Sequence, residues 1–158
     1  MTRLRVLALL ALVALAAASS AQAGPRTFKV RFTDRVKRTA CPKHSPAGAE
    51  CFLLRSQAHA TGWGTVGTGP TLDVEAPQGS AACGQRIHYL QRLRFAHGTV
   101  TARVTGPRLC LGRLGTVQRR FSVVRGTGAF AAATGSGTVA IDVQSVGAIE
   151  TWRGRLAG

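Results

Sequence analysis

The 158-residue chain carries 21 Lys and Arg against 6 Asp and Glu, a formal net charge of +15, with 45% hydrophobic residues and four cysteines. This length buries one real core and leaves little room for a second, so a single domain is expected. There is no Asn, hence no N-glycosylation acceptor.

Arg3 and Arg5 precede the apolar run Val6 to Ala18, which gives way to the small residues Ser19 to Ala23. A charged n-region, an h-region too short to span a bilayer comfortably and an A-x-A site read as a cleavable signal peptide over residues 1–23. The expected mature chain, 24–158, is secreted or periplasmic. It has no transmembrane segment, because Gly, Arg or Thr interrupts every later apolar stretch. Loss of Arg3 and Arg5 leaves 19 basic residues against 6 acidic, a charge of +13.

The mature chain alternates with period two, and helix-period segments are missing. Phe28, Val30 and Phe32 alternate with Thr27, Lys29, Arg31 and Thr33, a strand with one basic face. Further strands are predicted at 51–62 and 71–74, with a Gly-rich connection, 62–70, between them. In Gln85 to Phe95, Ile87, Tyr89, Leu93 and Phe95 share one face, while Arg86, His88, Arg92 and Arg94 share the other with Leu90. Ala96-His97-Gly98 joins this strand to Thr99–Val104 as a hairpin. Strands are also predicted at 108–111, 120–125, 137–143 and 148–156. About nine segments exceed a minimal sandwich and suit a small barrel.

Cys41, Cys51, Cys83 and Cys110 make an even count in an exported chain, which favours two disulfides. Three connectivities are open. The favoured one joins Cys41 to Cys51, closing a Pro-rich loop, and Cys83 to Cys110, tying a loop to a later strand. No cysteine or histidine pair has zinc-ligand spacing, so no metal is expected.

The stretch Val123 to Val139 holds Gly126, Thr127, Gly128, Phe130, Ala133 and Gly135 in the order of a G-G-T-G-x-[FY]-x-G-A-x-G turn. It resembles the signature of the allene oxide cyclase and dirigent-like barrels, with Arg125 and Ala132 replacing two glycines. The segment Ile149 to Leu156 also looks like the closing strand of bacterial members, so the resemblance covers 121–156. It implies an all-β fold, a single closed or nearly closed antiparallel barrel of about eight strands. Characterised members work in the barrel cavity, cyclising an unstable epoxide or steering radical coupling. Physically, Gly126 and Gly128 permit a tight bend, Phe130 plugs the end of the core, and Gly135 lets the chain re-enter the sheet. A dinucleotide fingerprint is rejected, because the third glycine and a following helix are absent.

If Trp152 and Leu156 face the core, parity places Glu150 beside them, where burial would raise its pKa and suit it to acid catalysis. Tyr89 and Trp152 are the candidate ligand contacts inside the barrel. Lys29, Arg31, Arg86, Arg92 and Arg94 form outward basic rows able to dock an anionic polymer or lipid surface. Nucleic acid is disfavoured, since the aromatics fall on the apolar faces. A compositional origin of the charge competes with this reading, because 18 of the 21 basic residues are Arg. Hydrolase signatures are missing and no cofactor is expected. The sequence therefore points to an exported barrel binding a small apolar ligand inside or an anionic partner outside. The alternative is a cavity enzyme with isomerase- or cyclase-like activity, and the oligomeric state is left open.

Overall fold

The computed structural model describes residues 24–145 and 147–157; the leader expected over 1–23 lies outside them. Among the described residues there is no helix, and eleven strands run as β1 (Arg26–Thr33), β2 (Arg35–Thr39), β3 (Glu50–Arg55), β4 (Gln57–Ala60), β5 (Gly64–Thr68), β6 (Thr71–Glu75), β7 (Arg86–Phe95), β8 (Gly98–Pro107), β9 (Gly115–Gly128), β10 (Thr134–Val143) and β11 (Ala148–Ala157). Eight form one antiparallel sheet in the order β1-β11-β10-β9-β8-β7-β5-β4, and β2-β3-β6 form a second sheet. The larger sheet curls until its edges, β1 and β4, lie side by side, giving a nearly closed barrel.

The smaller sheet is the continuation of the same wall. β1 runs into β2 through Asp34, β3 into β4 through Ser56, and β5 into β6 through Gly69-Pro70. Counted through these bends, eight strands remain, and the β2–β3 ladder links the two edges of the larger sheet. Hydrogen bonds tie the bends at one level. The Ser56 hydroxyl donates to the Asp34 carboxylate, the Thr68 amide to the Ser56 carbonyl at 2.8 Å, and the Gly69 amide to the Arg92 carbonyl at 3.1 Å.

Below that level the barrel is filled. The inward set of each strand follows the period-two pattern: Phe28, Val30 and Phe32 on β1, Leu93 and Phe95 on β7, Val100, Ala102 and Val104 on β8, Trp152 and Leu156 on β11. Gln91 interrupts the apolar series of β7, buried, with its side-chain oxygen accepting from Thr71 at 2.8 Å. Burial of each large apolar side chain contributes on the order of 2 kcal/mol.

The lower end is closed by aromatic rings. Phe130 lies 4.5 Å from Phe95 and 6.1 Å from Trp63 between ring centroids, and Trp63 meets Phe28 edge-on at 6.0 Å. Trp63 donates its indole N–H to the Thr27 carbonyl at 2.9 Å, joining the β4–β5 turn to β1, and Arg26 stacks on its ring. Gly126, Thr127 and Gly128 are the last residues of β9, the turn proper is 129–133, and Gly135 is already in β10. Gly126 is there for space, since a Cβ at this position would overlap the Phe130 carbonyl oxygen.

Four stretches depart from the sequence reading. The single strand expected over 51–62 is broken at Ser56 into β3 and β4, which belong to different sheets. Residues 64–68, expected as a Gly-rich connection, form β5, whose glycines are held by ladder bonds to β4 and β7. Residues 35–39, assigned to no strand, form β2. Residues 108–111, expected as a strand, make only an isolated bridge between Cys110 and Ala76 and belong to the loop joining β8 to β9. That loop is fixed by a disulfide between Cys83 and Cys110, and a second disulfide joins Cys41 to Cys51, with Cα–Cα distances of 5.2 Å in both.

Replacing Gly126 by Ala should push Phe130 out of the aromatic plug and destabilise the protein by about 1–3 kcal/mol, the usual cost of overpacking. Urea unfolding monitored by Trp fluorescence measures it, and an unchanged midpoint would refute the plug.

Candidate functional site

Above the level of Asp34 and Ser56 the barrel is not filled. A cavity of about 360 Å3 opens there, between the β2-β3-β6 sheet and the upper ends of β7, β9, β10 and β11. Leu109, Leu111 and Leu114 of the disulfide-anchored β8–β9 loop cover one side, and Phe52, Leu54, Ile141 and Val143 form much of the apolar wall. Three of the five exposed large apolar residues among the described residues, Val36, Leu72 and Leu114, stand at this cavity, and Leu114 is 62% exposed.

The polar side of the cavity is built by parity. On β3 and β6, Glu50 pairs with Glu75 and Phe52 with Asp73, so Glu50, Asp73 and Glu75 all line the space. On β11, Glu150 lies two residues from the buried Trp152 and so shares its inward face. On β9, Arg119 lies two residues before the buried Phe121 and is itself 3% exposed. Gly106 of the neighbouring β8 lies against Arg119, and any Cβ there would collide with the arginine stem. Four of the six acidic residues of a strongly basic protein therefore line this cavity, and Asp34, bonded to Ala148 of β11, lies close enough for its charge to act on Glu150.

Arg119 donates from Nε to the Pro107 carbonyl at 3.0 Å and from Nη1 to the Tyr89 hydroxyl at 3.1 Å, and its guanidinium lies over the Tyr89 ring. Its Nη2 is buried with no hydrogen-bond partner among the described residues. A buried unpaired guanidinium nitrogen is costly, and a ligand oxygen would satisfy it. Glu150, 3% exposed, accepts from the Trp152 indole N–H at 3.0 Å.

Burial governs the titration of the cluster. It lifts Glu150 to about 7; the neighbouring Asp34 and Asp73 charges push the same way, against the Trp152 hydrogen bond and Arg119. Glu75 is raised to about 7 by burial and then by Asp73 and Glu50. Burial raises Asp34 against the Ser56 hydrogen bond, and raises Asp73 against Arg119, a backbone hydrogen bond and Arg108. Tyr89 is also pushed up, by burial first and then by the Glu150 charge. Desolvation thus outweighs the nearby arginines, and two of the carboxyls lining the cavity, Glu75 and Glu150, hold protons near neutral pH. Among the described residues no group of His, Cys, Asp and Glu has the geometry to hold a metal ion.

Of the residues singled out in the sequence, Glu150 and Tyr89 come together in this cavity. Trp152 does not line it. It is wholly buried beneath Glu150, packed on Phe121 at 4.9 Å between ring centroids. Lys29, Arg31, Arg86, Arg92 and Arg94 point outward from the barrel wall. The turn residues Gly126 to Gly135 lie at the far, plugged end. Sequence reasoning passed over Asp34, Asp73, Glu75 and Arg119. The missed signal for Arg119 is the Val117-Arg119-Phe121 alternation, visible once β9 is started five residues earlier. No family model, curated protein or solved structure matches the chain.

Carboxyls with raised pKa values add stability that is complete below the unfolded value, 4.5 for Glu150 and Glu75, and is lost as pH rises through about 7. Stability should therefore fall between pH 5 and 8. Glu150→Gln should flatten part of that fall and exceed the parent at pH 8 by on the order of 2 kcal/mol. Urea midpoints measured across this range decide it, and parallel curves for the two proteins would count against a protonated Glu150.

Proposed function

We propose that the protein is an exported barrel that binds a small, largely apolar molecule with an oxygen-bearing polar end in the cavity above Asp34. The observation carrying this is the meeting, in one space of about 360 Å3, of an apolar wall with the buried, unpartnered Nη2 of Arg119. The volume lies at the lower end of the usual small-molecule range, and few convergent polar groups in an apolar pocket is the usual composition of such sites. The apolar wall takes the body of the ligand. Arg119, held by Pro107 and Tyr89, receives the polar end. A fully ionised ligand carboxylate would meet Glu50, Asp73, Glu75 and Glu150, so a neutral carbonyl or hydroxyl suits the site better. The leader over 1–23 and the resemblance of 121–156 to cavity-bearing barrels agree with this reading.

A second reading, isomerase- or cyclase-like chemistry in the same cavity, is favoured by Glu150, which burial holds near pH 7 where both protonation states are populated. Such a carboxyl is suited to giving and taking a proton at a bound ligand.

Native mass spectrometry of the purified protein should reveal a retained small molecule, and a neutral apolar dye such as N-phenyl-1-naphthylamine should bind and be displaced by it. Ala148→Phe fills the cavity from β11 and should weaken dye binding about tenfold or more, as a lost apolar site would. Unchanged affinity in that variant would remove the cavity as the binding site. Glu150→Gln separates the two readings: binding survives in both, but proton exchange into the bound molecule from deuterated solvent is lost only if Glu150 is the acid–base group.

A further inference from the structure

The outer wall opposite the bends carries the complement of the cavity's charge. Neighbouring strands bring outward side chains into rows that run around the barrel. One row is His88, Thr105, Arg120, Thr138, Arg153 and Lys29, each the direct partner of the next from β7 to β1. The adjoining row continues with Arg103, Ser122, Ser136 and Arg155. Cations and hydroxyls thus interleave along the first row from His88 to Arg153 and along β8 and β9, while β10 offers hydroxyls (Ser136, Thr138) and β11 arginines (Arg153, Arg155) side by side. Arg120 and Arg153, two strands apart, stand about 10 Å from each other, and Arg103 and Arg120 are diagonal neighbours at roughly 7–8 Å.

Among the described residues no ion pair neutralises this wall. The one salt bridge among the described residues, Arg38 to Glu50 at 2.7 Å, lies at the cavity end. Asp142, the sixth acidic residue, belongs to the β10–β11 hairpin at that same end. Lys29 and Arg153 are direct cross-strand partners, a like-charge pair that destabilises a sheet unless an anion lies between them.

We infer that this wall docks a linear anionic polysaccharide, its carboxylate, sulfate or phosphate groups on the arginines and its hydroxyls on the intervening Thr and Ser. The surface itself selects among polyanions. Every aromatic side chain is buried or half-buried, so none is offered for stacking on nucleic-acid bases. The large apolar residues on the wall are Leu90 and Val124, single side chains without the contiguous apolar face that lipid insertion needs. Hydroxyls alternating with guanidinium groups, by contrast, match a polymer that alternates charge with sugar hydroxyls. This inference is independent of what the cavity holds.

The test compares the purified protein with Arg120→Ser/Arg153→Ser and with a charge-matched control, Lys43→Ser/Arg113→Ser, whose residues are exposed in loops off the wall. Heparin serves as the sulfated probe and polygalacturonate as the carboxylate probe, at about 0.15 M salt, a physiological ionic strength. Circular dichroism melts confirm that all three proteins are folded. The wall variant should bind at least one probe about tenfold more weakly, with a shallower salt dependence, and the control about as tightly as the parent. Equal losses in both variants would show that net charge alone drives binding and overturn the site. Tighter binding to duplex DNA or to phosphatidylglycerol vesicles than to both polysaccharides would overturn the choice of partner.

Discussion

The hydrogen bond from Ser56 to Asp34 sits where the barrel changes character. At that level β1 becomes β2 and β3 becomes β4, and the single wall divides into a larger and a smaller sheet. Asp34 also holds the last rung to β11, its amide donating to the Ala148 carbonyl at 3.0 Å. One oxygen of its carboxylate is thus used for architecture. The other is buried without a hydrogen-bond partner among the described residues, and after burial itself the Asp34 charge adds to the rise in the Glu150 pKa. The same residue fixes where the strands bend and sets part of the electrostatics of the space above.

Below the bends, aromatic rings and branched aliphatic side chains fill the barrel, which is what a small closed sheet requires to exclude water. Above them the smaller sheet leans away and the volume is left to a cavity, bounded by a loop that has no ladder of its own. The Cys83–Cys110 disulfide and the Cys110–Ala76 bridge substitute for that ladder. A loop carrying Leu109, Leu111 and Leu114 would otherwise have little to keep it over an open space.

The distribution of charge follows the same division. Arginines occupy the outward positions of the long strands, where water and salt screen them. Acidic residues are gathered at the cavity, where desolvation raises the pKa of Asp73 in spite of Arg119 and Arg108, and that of Glu150 in spite of Arg119. The protein is therefore basic outside and weakly acidic, partly protonated, within. A neutral molecule with an oxygen to offer Arg119 suits the inside, and a polyanion suits the outside.

The sequence by itself determined the strands and their faces wherever apolar and polar residues alternate strictly. Phe28, Val30 and Phe32, the β7–β8 hairpin and the inward position of Glu150 were legible because period two and chain proximity are local properties, whereas the disulfide pairing was favoured by the sequence but decided only by the structure. It was silent on β5 and β2, where Gly, Thr and Arg carry no pattern and ladder partners alone decide the conformation. It also placed Trp152 beside a ligand, though parity gives only the face of a residue and never its depth along the barrel. Only the tertiary structure brought Asp73, Glu75, Arg119 and Glu150 to one cavity, with Asp34 close to Glu150, because β6, β9, β11 and the β1–β2 bend, far apart in sequence, meet there through register. The raised pKa values of Asp34, Asp73, Glu75 and Glu150 follow from burial, which belongs to the folded volume and to no single stretch of the chain.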